Sequence, residues 1–262
     1  MYNSAIDILK KINENGFSSY IIGGYVRDKL LNISSNDIDI CTSATPIDLK
    51  NIFKDNITSD NYGSSIIKLN NYKFEITTFR KELEYKNNRI PSKIIYIDNL
   101  YEDLLRRDFT INTICIDSNN NIVDLLSALK DIDKKIIKCV GNPNIKLKED
   151  SLRILRAIRF SAKLNFKLDK NLYKAIINNA YLLKNLSYTR KKEELNEILK
   201  YKKGIKLLKK TKIYKYLDID INNIKYTNNV LGIWSQINAF NYPFTKHEKS
   251  IINKINELKI KN

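Results

Sequence analysis

The chain has 262 residues, 43% hydrophobic and 29% charged, enough for one large domain or two small ones. Its 46 basic and 29 acidic residues give a formal charge of +17, which points to a polyanionic partner or to lysine-rich compositional drift. No run approaches the roughly 18–20 apolar residues of a membrane span. The N-terminal MYNSAIDILKKINENG is amphipathic rather than signal-like, so a cytoplasmic protein is expected. Cys41, Cys115 and Cys139 are scattered and His247 is the only histidine, which excludes a zinc or disulfide framework. Any chemistry must fall to carboxylates and arginines.

In chain order, residues 4–13 have helical apolar spacing. SSYIIGG reads as a strand running into a glycine turn, Val26 to Leu31 as a short helix and NDIDIC as a strand with alternating faces. TPIDLKNIF opens with a Thr-Pro helix start. SSIIKLNNYKFEITTF is two β-rich runs joined at Asn70-Asn71, a hairpin signal. Residues 80–98 are polar and predict a mobile loop; Leu100 to Arg107 predicts a helix and FTINTICID a further strand. Beyond about residue 130, apolar residues recur every three or four positions and strand runs disappear. The expectation is a mixed α/β head followed by helices. The span from Lys184 to Lys215 holds 12 basic and 3 acidic residues, either a solvated helical face or a track for phosphates.

Gly23 and Gly24 let the backbone approach a ligand closely, and Arg27 stands about one helical turn on; a plain turn reads equally from the glycines alone. Asp37 and Asp39, two apart, share one strand face, where two carboxylates repel unless a cation lies between them; the alternative is a solvated strand end. Glu75 falls on the face of Thr77, opposite Phe74 and Ile76, and becomes a third carboxylate if its strand lies beside NDIDI. Arg106, Arg107 and Asp108 are three consecutive ionic residues at a helix end. Asp150, Arg153, Arg156 and Arg159 recur every three residues, which on a helix forms a slowly rotating stripe. An aspartate acceptor and an arginine donor one turn apart can meet a nucleobase edge, or simply pair with each other along the helix.

Taken in order, GGYVRD, NDIDI, RRDFTIN and EDSLRILRAIRF resemble the class II tRNA nucleotidyltransferases and the related bacterial poly(A) polymerases. The resemblance runs from about residue 18 to 200. It implies an α+β fold: a nucleotidyltransferase-type head with a small mixed β-sheet and flanking helices over 1–125, a helical neck over 126–200 and a shortened helical body over 201–262. It implies Asp37 and Asp39 as Mg²⁺ ligands, with Glu75 as a supporting catalytic carboxylate. Gly24 and Arg27 are implied as nucleotide-phosphate contacts, and Arg107 with Asp108 as the segment that favours a ribose. Asp150 and Arg153 are implied to read the incoming base, supported by Arg156 and Arg159. The implied activity is template-independent addition of CCA to the tRNA 3′ end from CTP and ATP, by Mg²⁺-dependent in-line attack of the 3′-hydroxyl on the α-phosphate.

An arginine-rich run before SSIIKL, found in poly(A) polymerases of this family, is absent, which favours a tRNA enzyme. FRKELEYKNNRIPS keeps the look of the full mobile loop, which favours complete CCA addition over A-only addition. A poly(A) polymerase or a non-catalytic RNA-binding remnant are the remaining alternatives. Thr189 precedes Arg190 where the family usually carries Glu-Arg, and the chain is shorter than usual, so the basic span 184–215 is expected to take over part of the tRNA grip. The oligomeric state is not legible in the sequence.

Overall fold

A computed structural model describes residues 1–54, 57–59, 63–86 and 90–260. The chain divides into two compact units, residues 1–85 with 91–134 and residues 86–90 with 135–262. The fold is α+β. Among the described residues no helix is long and apolar enough to cross a membrane.

The first unit is built on a mixed sheet. Its elements are α1 (Tyr2–Glu14), β1 (Ser19–Ile22), α2 (Gly24–Leu30), β2 (Asp39–Thr42), α3 (Pro46–Phe53), β3 (Ile57–Ser59), β4 (Ser64–Leu69) and β5 (Tyr72–Thr78). There follow β6 (Arg80–Lys86), β7 (Ile90–Tyr96), α4 (Leu100–Leu105), a 3₁₀ turn (Thr110–Asn112), β8 (Cys115–Ile116), β9 (Ile122–Val123) and α5 (Ala128–Asp133). Seven strands order as β3-β4-β5-β2-β1-β8-β9. β2 is antiparallel to β1 and parallel to β5. Strand alternation separates two apolar clusters. Ile21, Ile40, Phe74 and Ile76 join Ile8, Leu9 and Ile12 of α1 and Leu49 of α3 in one. Ile22, Cys41 and Cys115 join Phe79 and Leu100 and Leu104 of α4 in the other.

Local chemistry sets several boundaries. α3 starts at a reciprocal cap: Thr45 Oγ1 accepts from the Asp48 amide, and Asp48 Oδ2 accepts from the Thr45 amide. Asn70 and Asn71 both take left-handed conformations, φ 49° and 65°, as a two-residue hairpin turn requires, and the hairpin read from the sequence is present. Of the loop expected over 80–98, residues 80–86 and 90–96 are instead the strand pair β6 and β7, while 87–89 lie outside the described residues. Leu83, Ile95 and Tyr96 of this ribbon are exposed, so these positions carry no buried apolar alternation to mark a strand. Only Cys115–Ile116 of FTINTICID is strand; the stretch begins as the 3₁₀ turn.

The second unit is helical: α6 (Pro143–Glu149), α7 (Leu152–Lys163), α8 (Lys170–Asn179), α9 (Tyr188–Leu199), α10 (Lys202–Thr211), α11 (Val230–Trp234) and α12 (Lys246–Ile260). It departs from the all-helical expectation at one point, the short parallel pair β10 (Ile136–Ile137) and β11 (Lys167–Leu168). Two residues per strand are too few to show an apolar period. α7 buries Ile154, Leu155 and Ile158, while α9 buries Leu195, Ile198 and Leu199. Trp234 Nε1 donates to Asn196 Oδ1 at 2.7 Å, and Lys192 Nζ to Glu248 at 2.7 Å, so α11 and α12 are tied to α9.

Candidate active site

β1 ends at Ile22, opposite Asp39 at the start of β2, and Asp39 stands opposite Glu75 of β5. Neighbouring strands lie about 4.7–4.9 Å apart, so the register puts two carboxylates side by side on one sheet face. Asp37 lies just ahead of β2 and is exposed, with buried Ile38 between it and half-buried Asp39. Burial, then the charges of Asp37 and Glu75, push the Asp39 carboxyl up to about 6, against the pull of Arg107. Glu75 Oε1 accepts from Ser64 Oγ at 2.7 Å. Gly23 has φ 83°, and a Cβ there would stand 3.3 Å from Asp39 Oδ2. Glycine suits the position by its conformation, and a Cβ there would crowd that carboxylate.

Asp39, Glu75, Ser64 and Thr77 line a cavity of about 420 Å³, together with Arg80, Arg106 and Arg107. Buried Asp103 holds the arginines: it accepts from the Arg80 amide at 3.1 Å, Arg106 Nε at 2.8 Å and Arg107 Nη2 at 3.3 Å. Glu82 Oε1 accepts from Arg80 Nη2 at 2.8 Å. Among the described residues the buried Arg107 Nε–H has no hydrogen-bond partner. An unpaired buried donor costs about 1–3 kcal/mol, a cost relieved by an incoming acceptor. Carboxylates and guanidiniums in one cavity suit a ligand that brings a cation and phosphates together. The donor set is hard oxygen, as Mg²⁺-like cations require, and such cations take only one or two carboxylates when phosphates complete the shell. Among the described residues no three His, Cys, Asp or Glu side chains gather into a metal site on their own.

Arg27 is 2% exposed and does not line this cavity. Its guanidinium donates to Asp28 Oδ1 at 2.6 Å and to Asn112 Oδ1 at 2.6 Å. Asn112 Nδ2 in turn donates to Asp108 Oδ1, which also accepts from the Phe109 amide. Arg27 and Asp108 thus meet through Asn112, in a buried network that ties α2 to the 3₁₀ turn. Gly24 opens α2, immediately after Gly23. Arg80, Asp103 and Ser64 join the residues expected from the sequence. Arg80 opens the Arg-x-Glu run of the expected loop, Asp103 stands three and four residues before Arg106 and Arg107, and no local pattern marks Ser64.

In the second unit Asp150 is not on the helix that carries the arginines. It is the extended residue between α6 and α7, and its Oδ1 accepts from the Leu152 amide at 3.0 Å. Arg153 is buried and donates to Lys146 O at 3.1 Å and Glu149 Oε2 at 3.0 Å, both of α6. Arg159 pairs with Glu194 of α9 at 3.3 Å. Arg156 and Arg159 lie over the Phe160 ring at 5.5 and 4.8 Å. Each three-residue step falls about 60° short of a full turn, so the arginines fan around α7 rather than sharing one face.

Residues 19–138 match the Poly A polymerase head domain, and residues 165–220 match a domain described as a probable RNA and SrmB-binding site of polymerase A. The CCA-adding enzyme of Bacillus pumilus is 40% identical over 220 residues, covering 82% of this chain and 55% of that protein. The chain spans about half the length of the curated relatives it matches. The crystal structure of the Bacillus stearothermophilus CCA-adding enzyme in complex with CTP aligns with a TM-score of 0.76 at 32% identity, covering 83% of this chain and 54% of that one. A tRNA nucleotidyltransferase complexed with a primer tRNA and an incoming ATP analog aligns with a TM-score of 0.65 at 27% identity, covering 86% of this chain and 65% of that one. Over these matched residues the chain is similar to the tRNA nucleotidyltransferases that add CCA and to the poly(A) polymerase head and RNA-binding domains.

Proposed function

We propose that this chain is a template-independent tRNA nucleotidyltransferase of the cytoplasm, completing the 3′ CCA end of tRNA from CTP and ATP. The observation that carries the reading is the cavity in which Asp39 and Glu75 share space with Arg80, Arg106 and Arg107. Asp37 and Asp39 would hold Mg²⁺, which when bound lowers the pKa of the attacking hydroxyl and neutralises triphosphate charge. Glu75, held by Ser64, supports that carboxylate pair. Arg107 offers its unpaired Nε–H to a phosphate or ribose oxygen, and Arg80 and Arg106 add positive charge to the cavity. Gly24 contributes the backbone at the start of α2. Arg27 and Asp108 act through the Asn112 network that fixes α2 and the Arg107 segment. In the second unit Asp150 and Arg153 form the base-reading pair, with Arg156 and Arg159 in support. Residues 1–125 are assigned as the catalytic head, 126–200 as the neck and 201–262 as a helical body.

The test is an extension assay at single-nucleotide resolution, with tRNA ending before, within or just short of CCA and with CTP, ATP or both. Addition of C, C and A followed by a stop is expected, and Asp150→Ala is expected to lose choice among the four nucleotides more than affinity for triphosphate. A alone on tRNA ending in CC would replace this reading with A-only addition, and a long A tract with poly(A) synthesis.

A further inference from the structure

The second unit carries a cavity of about 410 Å³ that the catalytic reading leaves unused. Its floor is apolar and aromatic, from Leu168 of β11, Tyr173 of α8 and Leu207 of α10. Its rim is cationic, with Lys167, Lys170, Lys174, Lys203 and Lys210 from three different elements and no acidic residue among the lining side chains. The adjacent acid, Asp169, is occupied as the cap of α8, accepting from the Asn171 and Leu172 amides. Lys210 Nζ lies 5.6 Å from the centre of the Tyr173 ring. Lys203 is anchored by hydrogen bonds to Phe166 O at 2.8 Å and Asn165 Oδ1 at 3.1 Å; burial, then the neighbouring Lys167 charge, lowers its pKa.

Five cations gathered beside a single carboxylate, that of Asp169, repel one another, a cost that an anion relieves. The apolar floor with a tyrosine face is unsuited to a bare phosphate, and the volume lies in the range of small-molecule sites. A ring stacked on an aromatic side chain, with phosphates on surrounding lysines, is how single-stranded nucleic acid is held. We propose that this cavity seats one unstacked nucleotide of an RNA chain, its base against Tyr173, Leu168 and Leu207 and its flanking phosphates on Lys167, Lys170, Lys174 and Lys210. The proposal rests on the RNA-substrate reading above and adds to it a defined nucleotide seat away from the catalytic carboxylates.

The experiment is fluorescence anisotropy with a 5′-fluorescein-labelled tRNA transcript lacking CCA, titrated with the wild-type chain, Tyr173→Ala, Tyr173→Phe and the double variant Lys170→Glu/Lys174→Glu. Thermal melts check that each variant is folded. Tyr173→Ala is expected to weaken binding about 5- to 150-fold, with Tyr173→Phe close to wild type. The lysine pair should weaken binding and lower the salt slope by about 1.5, the share of two phosphates. Wild-type binding by Tyr173→Ala, whether or not the lysine variant binds weakly, would overturn the base seat. Displacement of the labelled tRNA by millimolar free ATP from wild type but not from Tyr173→Ala would assign the cavity to free nucleotide and overturn the RNA assignment. Binding requires no nucleotide transfer, so the two readings fail separately. A chain that binds tRNA through Tyr173 but adds nothing loses the transferase reading and keeps this site.

Discussion

Asp39 is the residue on which the proposed chemistry converges, and its electrostatics make a prediction of their own. Its carboxyl is raised from 3.8 to about 6 by burial and by the charges of Asp37 and Glu75. The folded protein therefore holds that proton more tightly than the unfolded chain. The associated stability is fully present below about pH 4 and is lost as the pH rises through about 6. In the presence of a chelator, Asp39→Asn is expected to be more stable than wild type at about pH 7.5 by roughly 1–3 kcal/mol, with no gain at about pH 4. Equal unfolding curves at the higher pH would show that the three carboxylates do not strain one another. Arg27 shows the limit of reading single residues. The resemblance implies it as a phosphate contact; its bond to Asn112, 85 positions away, is one that no local spacing announces.

At the scale of elements, α9 and α10 pack with their backbones unusually close. A methyl group on Gly204 would overlap the carbonyl of Ile198 and crowd its side chain, so the two helices meet there with no room for a Cβ. Gly204→Ala is expected to cost about 1–3 kcal/mol, read as a lower Tm, because backbone rather than a flexible side chain must move. An unchanged Tm would mean that α10 can slide without penalty. The elements legible in the sequence are those whose signals are local. The Thr45-Pro46 start of α3, the Asn70-Asn71 turn and the alternation that sends Glu75 away from Phe74 and Ile76 all appear where the residues indicate. The β6–β7 ribbon escaped because its exposed Leu83 and Ile95 leave no apolar rhythm. The partners of the α7 arginines are only partly legible. The three-residue repeat and the i,i+4 spacing of Glu149 and Arg153 are visible in sequence, but the pairing of Arg159 with Glu194 of α9 is a tertiary fact.

For the whole molecule, the +17 charge and the basic span 184–215 have to be divided between structure and surface. Lys191 is 1% exposed, with its ammonium 4.7 Å from the centre of the Tyr188 ring, and Lys192 is buried against Glu248. Neither belongs to a phosphate track. Lys202, Lys206 and Lys215 are exposed. Their combined replacement by Gln is expected to weaken tRNA binding and to lower the salt slope by about 0.7–0.9 for each phosphate no longer neutralised; an unchanged slope would make this face ordinary solvated surface. The most direct test of the central claim, that the Asp39 cavity performs nucleotide transfer, is incorporation of α-labelled CTP into tRNA lacking CCA by wild type and Asp39→Ala, with tRNA binding measured in parallel. The account predicts Mg²⁺-dependent incorporation by wild type and at least a roughly thousandfold loss in Asp39→Ala, about 4 kcal/mol of transition-state stabilisation, with tRNA affinity within about twofold. Comparable incorporation by the variant, or tight tRNA binding by a wild-type chain that incorporates nothing, would contradict it.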